Sequence, residues 1–122
     1  MKTSKPSKRP GAKITPRFRI YLNREIVLGP GKADLLEQIA QTGSISEAAR
    51  RMKMSYNRAW LHVKIMNDNF SKPLVTSSRG GDDGGGASLT PLGEKVLRLY
   101  KLLNEESEAA IAKTSKELLR LL

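Results

Sequence analysis

The sequence predicts a small, mainly α-helical domain of the winged helix-turn-helix class, and three observations lead to this prediction. Two short amphipathic helical patterns between Gly43 and Phe70 are separated by only three residues, the spacing of a helix-turn-helix. A glycine-rich segment between two short β-type runs follows directly, which is the layout of a wing. Helical periodicity then continues from Pro91 to Leu122, which is longer than a domain of this size can cover.

Domain boundaries follow from changes in composition along the 122 residues. We expect a disordered basic arm over 1–15, the winged helix-turn-helix domain over 16–90 and a long dimerisation helix over 91–122. Residues 1–24 carry eight of the 22 basic side chains and none of the 12 acidic ones, so most of the net charge of +10 lies in this N-terminal stretch. The arm is either a solvated leader or a segment that contacts phosphates without reading sequence.

Short elements are predicted before the helix-turn-helix. Residues 17–22 at first alternate charged and apolar side chains, which predicts a half-buried strand with 25–28 as a brief return. Residues 29–31, Gly-Pro-Gly, interrupt the pattern. The helical periodicity from Ala33 to Ala40 then ends at Gly43.

The two helices of the helix-turn-helix have clear start signals. Ser44 is the expected N-cap of the first, and Glu47 three residues later predicts a reciprocal capping box. Lys53 to Ser55 form the turn, and Ser55 caps the second helix. The inward-facing apolar stripes are Ile45, Ala48, Ala49 and Met52 in the first helix and Ala59, Val63, Met66 and Phe70 in the second.

The second helix has an outward side suited to a nucleic acid. With Ala59 facing inward, a rotation of ~100° per residue puts Asn57, Leu61 and Lys64 on the far side. Between Glu47 and Asp68 there is no acidic residue, and the cations there are Arg50, Arg51, Lys53, Arg58 and Lys64. A polyanion is therefore the expected partner.

Individual roles follow from side-chain chemistry. We assign Asn57 to a base edge, with adenine favoured, Arg58 to guanine or a phosphate, and Leu61 to a thymine methyl group. Tyr56 is expected to pack its ring with its hydroxyl near a phosphate, and Trp60 to pack rather than to stack on DNA. Capping alone explains Ser44 and Ser55, although these hydroxyls and that of Ser46 also suit phosphates. The candidate DNA-binding residues are Ser44, Ser46, Lys53, Ser55, Tyr56, Asn57, Arg58, Leu61, Lys64, Arg79 and Gly80.

The predicted wing has strands at 73–78 and 87–89 and a glycine-rich tip at 79–86. Arg79 stands at the tip, where it is expected to reach a phosphate or the adjacent minor groove. The tip is no phosphate-binding P-loop, because no Gly-Lys-Ser/Thr follows it. Asp82 and Asp83 on this glycine tether make a poor cage for Mg²⁺.

The last helix is expected to start with Thr90 as N-cap and Pro91 at its first position. Leu92, Val96, Leu99 and Leu103 line one face, whereas Ile111, Leu118 and Leu122 form a stripe rotated by about 100°. A two-fold partner would bury the distal leucines. The alternative is a bend near Glu105 that folds the helix back on its own domain. The candidate dimerisation residues are Leu99, Leu103, Ile111 and Leu118.

Composition excludes several function classes. The chain has no cysteine and one histidine, which excludes disulfides and thiolate metal sites and makes a His-based catalytic centre or metal site improbable. No catalytic constellation of Ser, His and Asp is visible, so we expect no enzyme activity and no cofactor. No apolar run approaches the length of a membrane span, and the N-terminus has no hydrophobic signal segment, so we expect a cytoplasmic protein without membrane contact.

Several motifs in order carry a family resemblance. The sequence resembles the N-terminal domain of the molybdate-responsive ModE regulators over about residues 17–103, in the motifs at 55–60 (Ser-Tyr-Asn-Arg-Ala-Trp), 66–67, 73–75, 80–81 (Gly-Gly), 84–87 (Gly-Gly-Gly-Ala) and 89–93 (Leu-Thr-Pro-Leu-Gly). The resemblance implies a winged helix-turn-helix related to that of LysR-type regulators, dimerising through its terminal helices. The β-barrel module that binds molybdate or tungstate in that family has no counterpart here, so an oxyanion effector is not expected to bind this chain.

Two classes of function compete at this point. The basic recognition segment favours a dimeric, sequence-specific DNA-binding transcription regulator. The near-neutral remainder of the domain leaves open a protein-interaction adaptor on a winged-helix scaffold, and the basic arm leaves open a nonspecific architectural DNA binder.

Overall fold

A computed structural model describes residues 9–78 and 86–122 of the chain. The described residues form two small antiparallel hairpins and four helices. In chain order the elements are β1 (Ile20–Leu22), β2 (Glu25–Leu28), α1 (Pro30–Thr42), α2 (Ile45–Arg51), α3 (Tyr56–Asn69), β3 (Val75–Ser78), β4 (Gly86–Leu89) and α4 (Pro91–Leu119). This is the mainly α winged helix-turn-helix that the sequence predicts.

The first hairpin precedes the helices. β1 pairs with β2 around a turn in which Asn23 has a left-handed φ of 58°, a conformation that asparagine tolerates better than most residues. The strand begins at Ile20, three residues later than predicted, and all three of its side chains are exposed rather than half-buried. The Tyr100 hydroxyl donates a hydrogen bond of 2.8 Å to the Phe18 carbonyl, which ties this hairpin to α4.

Helix α1 begins earlier than the sequence pattern indicates. The Gly-Pro-Gly segment was expected to interrupt the chain, but Gly29 is the N-cap and Pro30 the first helical residue. Proline is favoured there because its missing N–H would have no partner in a first turn. The predicted end is confirmed, since Gly43 has a φ of 69° and its N–H bonds to the Ile39 carbonyl at 2.8 Å.

Only half of the expected capping box forms at the start of α2. The Ser44 hydroxyl accepts from the Glu47 N–H at 3.0 Å, as predicted. The Glu47 carboxylate does not return to the Ser44 N–H but pairs with Arg50, while the Ser44 N–H donates to the Thr42 hydroxyl at 3.2 Å. Competition from a nearby guanidinium and a nearby hydroxyl therefore replaces the reciprocal bond.

The turn between α2 and α3 closes in a Schellman arrangement. The Lys53 N–H bonds to the Arg50 carbonyl and the Met54 N–H to the Ala49 carbonyl. Lys53 has a left-handed φ of 56°, which is the position that glycine usually takes. Ser55 then caps α3 through a 3.1 Å bond from the Arg58 N–H. The turn thus fixes the angle between α2 and α3.

The core lies beneath the helix-turn-helix. Both predicted stripes face it: Ala48, Ala59 and Met66 are completely buried, and Met52 and Phe70 pack at its edge. Helix α1 contributes Leu35, Leu36 and Ile39, and the wing contributes Leu74, Val75 and Ala87. The helices that present the candidate site therefore rest on one continuous apolar cluster.

The second hairpin is the wing. Strands β3 and β4 pair in register from Val75 with Leu89 to Ser78 with Gly86. Strand β3 starts two residues later than expected, and Gly86 belongs to β4 rather than to the tip. The N–H of Ala87 bonds to the Gly43 carbonyl at 2.8 Å, which joins the wing to the end of α1. Arg79 and Gly80, with the rest of the predicted tip through residue 85, lie outside the described residues.

Helix α4 runs without interruption for 29 residues. Its start is as predicted, because the Thr90 hydroxyl accepts from the Gly93 N–H at 3.0 Å and donates to the Pro73 carbonyl at 2.7 Å. Of the predicted apolar face, Leu92 and Val96 pack at the edge of the core. Leu97 and Tyr100 are the buried side chains, whereas Leu99 and Leu103 are 49% and 43% exposed.

The distal stripe of α4 gives no reason for a bend near Glu105, because it lies in line with the buried residues of the helix. At ~100° per residue, Ile111 and Leu118 lie within about 20° of the buried Tyr100. The distal stripe therefore continues the face that packs on the domain, in a helix that stays regular past Glu105. From Lys101 to Arg120 no side chain is buried.

Candidate nucleic-acid interface

The outward side of α3 is open as the helical periodicity predicts. Asn57, Leu61 and Lys64 are all exposed, and Leu61 leaves 51% of its surface uncovered. Arg58 is exposed on the flank. The N-terminal half of α3 therefore presents an amide, a guanidinium and an apolar side chain, which are the groups that read base edges in a major groove.

The serine hydroxyls at the two helix starts have their acceptor sides occupied. Ser44 accepts from Glu47 and Ser55 from Arg58. Each hydroxyl hydrogen can still be donated to a phosphate oxygen. Ser46 is exposed in the first turn of α2, and Lys53 is exposed in the turn that leads to α3.

Both aromatic residues of α3 depart from expectation. Trp60 was expected to pack, yet it is 48% exposed, and Tyr56, whose ring was also expected to pack, is 51% exposed. The core beneath α3 is filled by Ala59, Val63 and Met66, which leaves no room for larger rings. Since these two rings are four residues apart, they lie on the same side of the helix.

The cations of this surface are less free than the sequence indicates. Arg50 pairs with Glu47, and the Lys64 ammonium lies 2.8 Å from the Asp68 carboxylate. The Arg51 guanidinium donates to the Gln38 amide oxygen at 3.3 Å. The pairing of Lys64 with Asp68 could have been predicted, because residues four apart meet on a helix surface. The segment between Glu47 and Asp68 therefore contains no acidic residue, but the acids at its two ends form ion pairs with cations inside it.

His62 was not singled out from the sequence. Its Nδ1 atom is buried without a hydrogen-bond partner among the described residues. Burial, together with the positive charges of Lys32 and Arg58, holds the pKa of His62 below its usual value. Burial likewise lowers the pKa of Lys32. His62 is thus neutral at neutral pH and adds no charge to the surface of α3.

Asn67 connects α3, the recognition helix of the helix-turn-helix, to the wing. Only the structure reveals this role. Its amide oxygen accepts from the N–H groups of Leu74 and Val75 at 2.8 and 3.1 Å, and its amide nitrogen donates to the Val75 carbonyl at 3.0 Å. Three bonds from one side chain fix the first residues of β3 against α3. The orientation of the wing relative to the helix is therefore set by Asn67.

Two other features are absent from the described residues. Residues 9–78 and 86–122 contain no group of three or more His, Cys, Asp or Glu side chains placed to hold a metal ion. Within the same ranges, no helix is long and apolar enough to cross a membrane.

The fold and the open recognition helix define a winged-helix protein of the class that binds duplex DNA. Residues 32–94 match the model of the bacterial regulatory helix-turn-helix family of the lysR type. The chain belongs to this family. The crystal structure of ArgP from Mycobacterium tuberculosis superimposes with a TM-score of 0.53 over 70% of this chain and 30% of that one, at 19% identity, and so supports the fold alone.

Curated relatives confirm the ModE resemblance. The transcriptional regulator ModE of Haemophilus influenzae is 41% identical over 91 residues, which cover 75% of this chain and 36% of that protein. The molybdenum-pterin-binding protein MopB of Rhodobacter capsulatus is 45% identical over 86 residues, covering 70% and 30%. The DNA-binding transcriptional dual regulator ModE of Escherichia coli K12 is 37% identical over 91 residues, covering 75% and 35%. The chain spans about a third of the length of these relatives.

Proposed function

We propose that this chain is a sequence-specific, DNA-binding transcription regulator that binds its sites as a homodimer. The observation that carries the proposal is the exposed N-terminal half of α3, with Asn57, Arg58 and Leu61 on a helix-turn-helix whose inner side is closed by the core. A rigid helix with these groups fits the major groove.

The DNA contacts divide into two kinds. Asn57 and Leu61 read an adenine edge and a thymine methyl group, and Arg58 reads guanine or holds a phosphate. Ser44, Ser46, Lys53, Ser55 and Tyr56 contact phosphates and so fix the register of α3 in the groove. Lys64 joins them once it leaves Asp68. Arg79 and Gly80 extend the contact from the wing.

The homodimer is supported by the apolar surface of α4. The distal stripe with Ile111 and Leu118 extends past the domain by about 22 Å, at ~1.5 Å per residue beyond Asn104. Leu99 and Leu103 form a second exposed surface on another side of the helix. A second copy related by two-fold symmetry can cover both surfaces at once, which none of the chain's described segments does.

Molybdenum chemistry is not assigned to these residues. The name of MopB states that it binds a molybdenum pterin, but the match to that protein covers only 30% of its length. We therefore expect molybdate to leave the DNA affinity of this chain unchanged.

One observation keeps a protein-interaction adaptor as the second candidate. Tyr56, Trp60 and Leu61 expose three large apolar side chains on one helix, a composition that protein interfaces also have. An architectural binder that relies on the basic arm would instead bind all duplexes equally.

The decisive experiment selects bound duplexes from a random pool and then titrates the selected and scrambled sequences. Asn57→Ala should weaken binding to the selected site by about 1–3 kcal/mol and relax preference at one base position. Gln41→Ala, an exposed amide on α1, is the matched control and should bind like the parent. If no sequence is enriched, or if folded Asn57→Ala binds both duplexes like the parent, the adaptor or the architectural binder becomes the better account.

A further inference from the structure

A cleft separates the recognition helix from the wing. It has a volume of about 290 Å³ and lies between one side of α3 and strand β3. Its lining is part apolar and part charged, and consists of Ile45, Trp60, Val63, Lys64, Asn67, Asp68, Val75 and Ser77. Because Asn67 holds the start of β3 against α3 by three hydrogen bonds, the fold itself fixes the two walls of this cleft.

The position of the cleft limits what can fill it when DNA is bound. A helix in the major groove and a wing at the neighbouring groove lie on opposite sides of one sugar–phosphate strand. That strand has to pass between α3 and β3, which is where the cleft lies. A sugar–phosphate chain offers apolar deoxyribose faces and charged oxygens in alternation, and the lining offers an indole ring beside an ammonium group.

Two side chains of opposite charge in the cleft pair with each other in the free protein. Lys64 and Asp68 form an ion pair of 2.8 Å, with both side chains more than half exposed. Such an exposed pair contributes little to stability. A phosphate oxygen can therefore replace the carboxylate as the partner of Lys64, but Asp68 then faces the phosphate with its full negative charge.

We infer that the cleft between α3 and β3 seats one sugar–phosphate strand of the bound duplex. Trp60 covers a deoxyribose face, Lys64 exchanges Asp68 for a phosphate, and Asp68 thereby lowers the affinity for DNA of any sequence. The inference rests on the proposed function and adds two residues, Trp60 and Asp68, to the DNA contact surface.

The first test uses Trp60 itself, because it is the single tryptophan of the chain. Acrylamide quenching of its fluorescence is measured with and without a saturating duplex whose end carries a dye. The anisotropy of the dye reports binding in the same sample. A seated strand should lower the quenching constant of Trp60 towards that of a buried indole.

The two readouts separate two kinds of failure. If the anisotropy rises while the quenching constant of Trp60 stays the same, the cleft is empty in the complex and this inference is wrong, although the chain still binds DNA. If the anisotropy does not rise with any selected duplex, the proposed function itself is wrong.

The second test compares two variants that change the net charge equally. Asp68→Asn should strengthen binding to selected and scrambled duplexes alike, because Lys64 then gives up no ion pair on binding and no carboxylate faces the phosphate. Glu105→Gln removes a carboxylate that is also exposed, on α4, and should have a much smaller effect. Equal effects of the two variants would mean that only net charge matters and would overturn the role given to Asp68.

Discussion

At the scale of the single residue, Lys53 shows how function and stability compete in the turn of the helix-turn-helix. Its φ of 56° belongs to the left-handed region, which disfavours a residue with a Cβ by roughly 1–2 kcal/mol. Glycine is the usual choice at this position of a Schellman turn. A lysine there is therefore a local strain, and its exposed ammonium beside the start of α3 is consistent with the phosphate contact that we propose.

Lys53→Gly should raise the free energy of unfolding by about 1 kcal/mol, because it relieves the left-handed strain. The same change should weaken DNA binding and lower the salt slope by about 0.9, since one phosphate contact is lost. Chemical denaturation and duplex titration measure the two effects separately. Lys53→Asn, which tolerates this conformation better than lysine, should give the same loss of binding with a smaller gain in stability. Unchanged binding in both variants would remove Lys53 from the DNA contact surface.

His62 makes the stability of the domain depend on pH. Its pKa in the folded protein lies below the unfolded value of 6.5, so the unfolded chain binds more protons as the pH falls below that value. Stability contributed by the neutral ring is thus complete above pH 6.5 and is lost as the pH falls towards the folded pKa. His62→Gln should flatten the loss of thermal stability as the pH falls below about 6.5, before carboxylates reach their ordinary titration range. A parent and variant with the same pH profile would contradict this assignment.

At the scale of the element, local signals were predictable and long-range packing was not. The caps at Ser44, Ser55 and Thr90 were correct because each cap involves only the next three residues. The burial of Leu97 and Tyr100 in α4 was not predicted, because they become core residues only through contact with distant elements. The exposed rings of Tyr56 and Trp60 were missed for the same reason, since small residues beneath them already fill the core.

One such long-range contact fixes the start of α4. A Cβ added to Gly93 would lie 2.1 Å from the Leu74 carbonyl oxygen, so α4 can approach the backbone before β3 only with glycine at this position. The Thr90 N–H bonds to the same carbonyl at 2.9 Å. The junction of wing and α4 therefore depends on a missing side chain, which the sequence pattern alone does not reveal.

Gly93→Ala should destabilise the domain by about 2–3 kcal/mol or more, because backbone has to move to admit the methyl group. Gly31→Ala is the matched control: nothing lies within 4 Å of a Cβ added there. In the first turn of α1 it should stabilise the domain by about 0.4–1 kcal/mol. Thermal or chemical unfolding measures both changes. Equal effects of the two substitutions would show that α4 does not depend on the close approach to Leu74.

At the scale of the whole molecule, α4 decides whether the chain acts alone or in pairs. Its first third closes the domain through Leu97 and Tyr100, and its remainder, in which no side chain is buried, continues the same face. Leu118 exposes 57% of its surface and Leu103 43%, which is costly in water for side chains of this kind. A palindromic DNA site read by two recognition helices would require the second copy that these surfaces can hold.

We therefore predict that the protein sediments as a homodimer at micromolar concentration and that Ile111→Asp makes it a monomer, because the substitution puts a charge into an apolar contact. Ala112→Asp is the matched control. It adds the same charge one residue further along, where ~100° of rotation takes it off the stripe, and it should stay dimeric. Monomeric Ile111→Asp should remain folded, since Ile111 is outside the buried core, and should bind a half-site more weakly than the parent binds the full site. A parent that sediments as a monomer, or an Ile111→Asp variant that stays dimeric, would contradict an interface built on the distal stripe of α4.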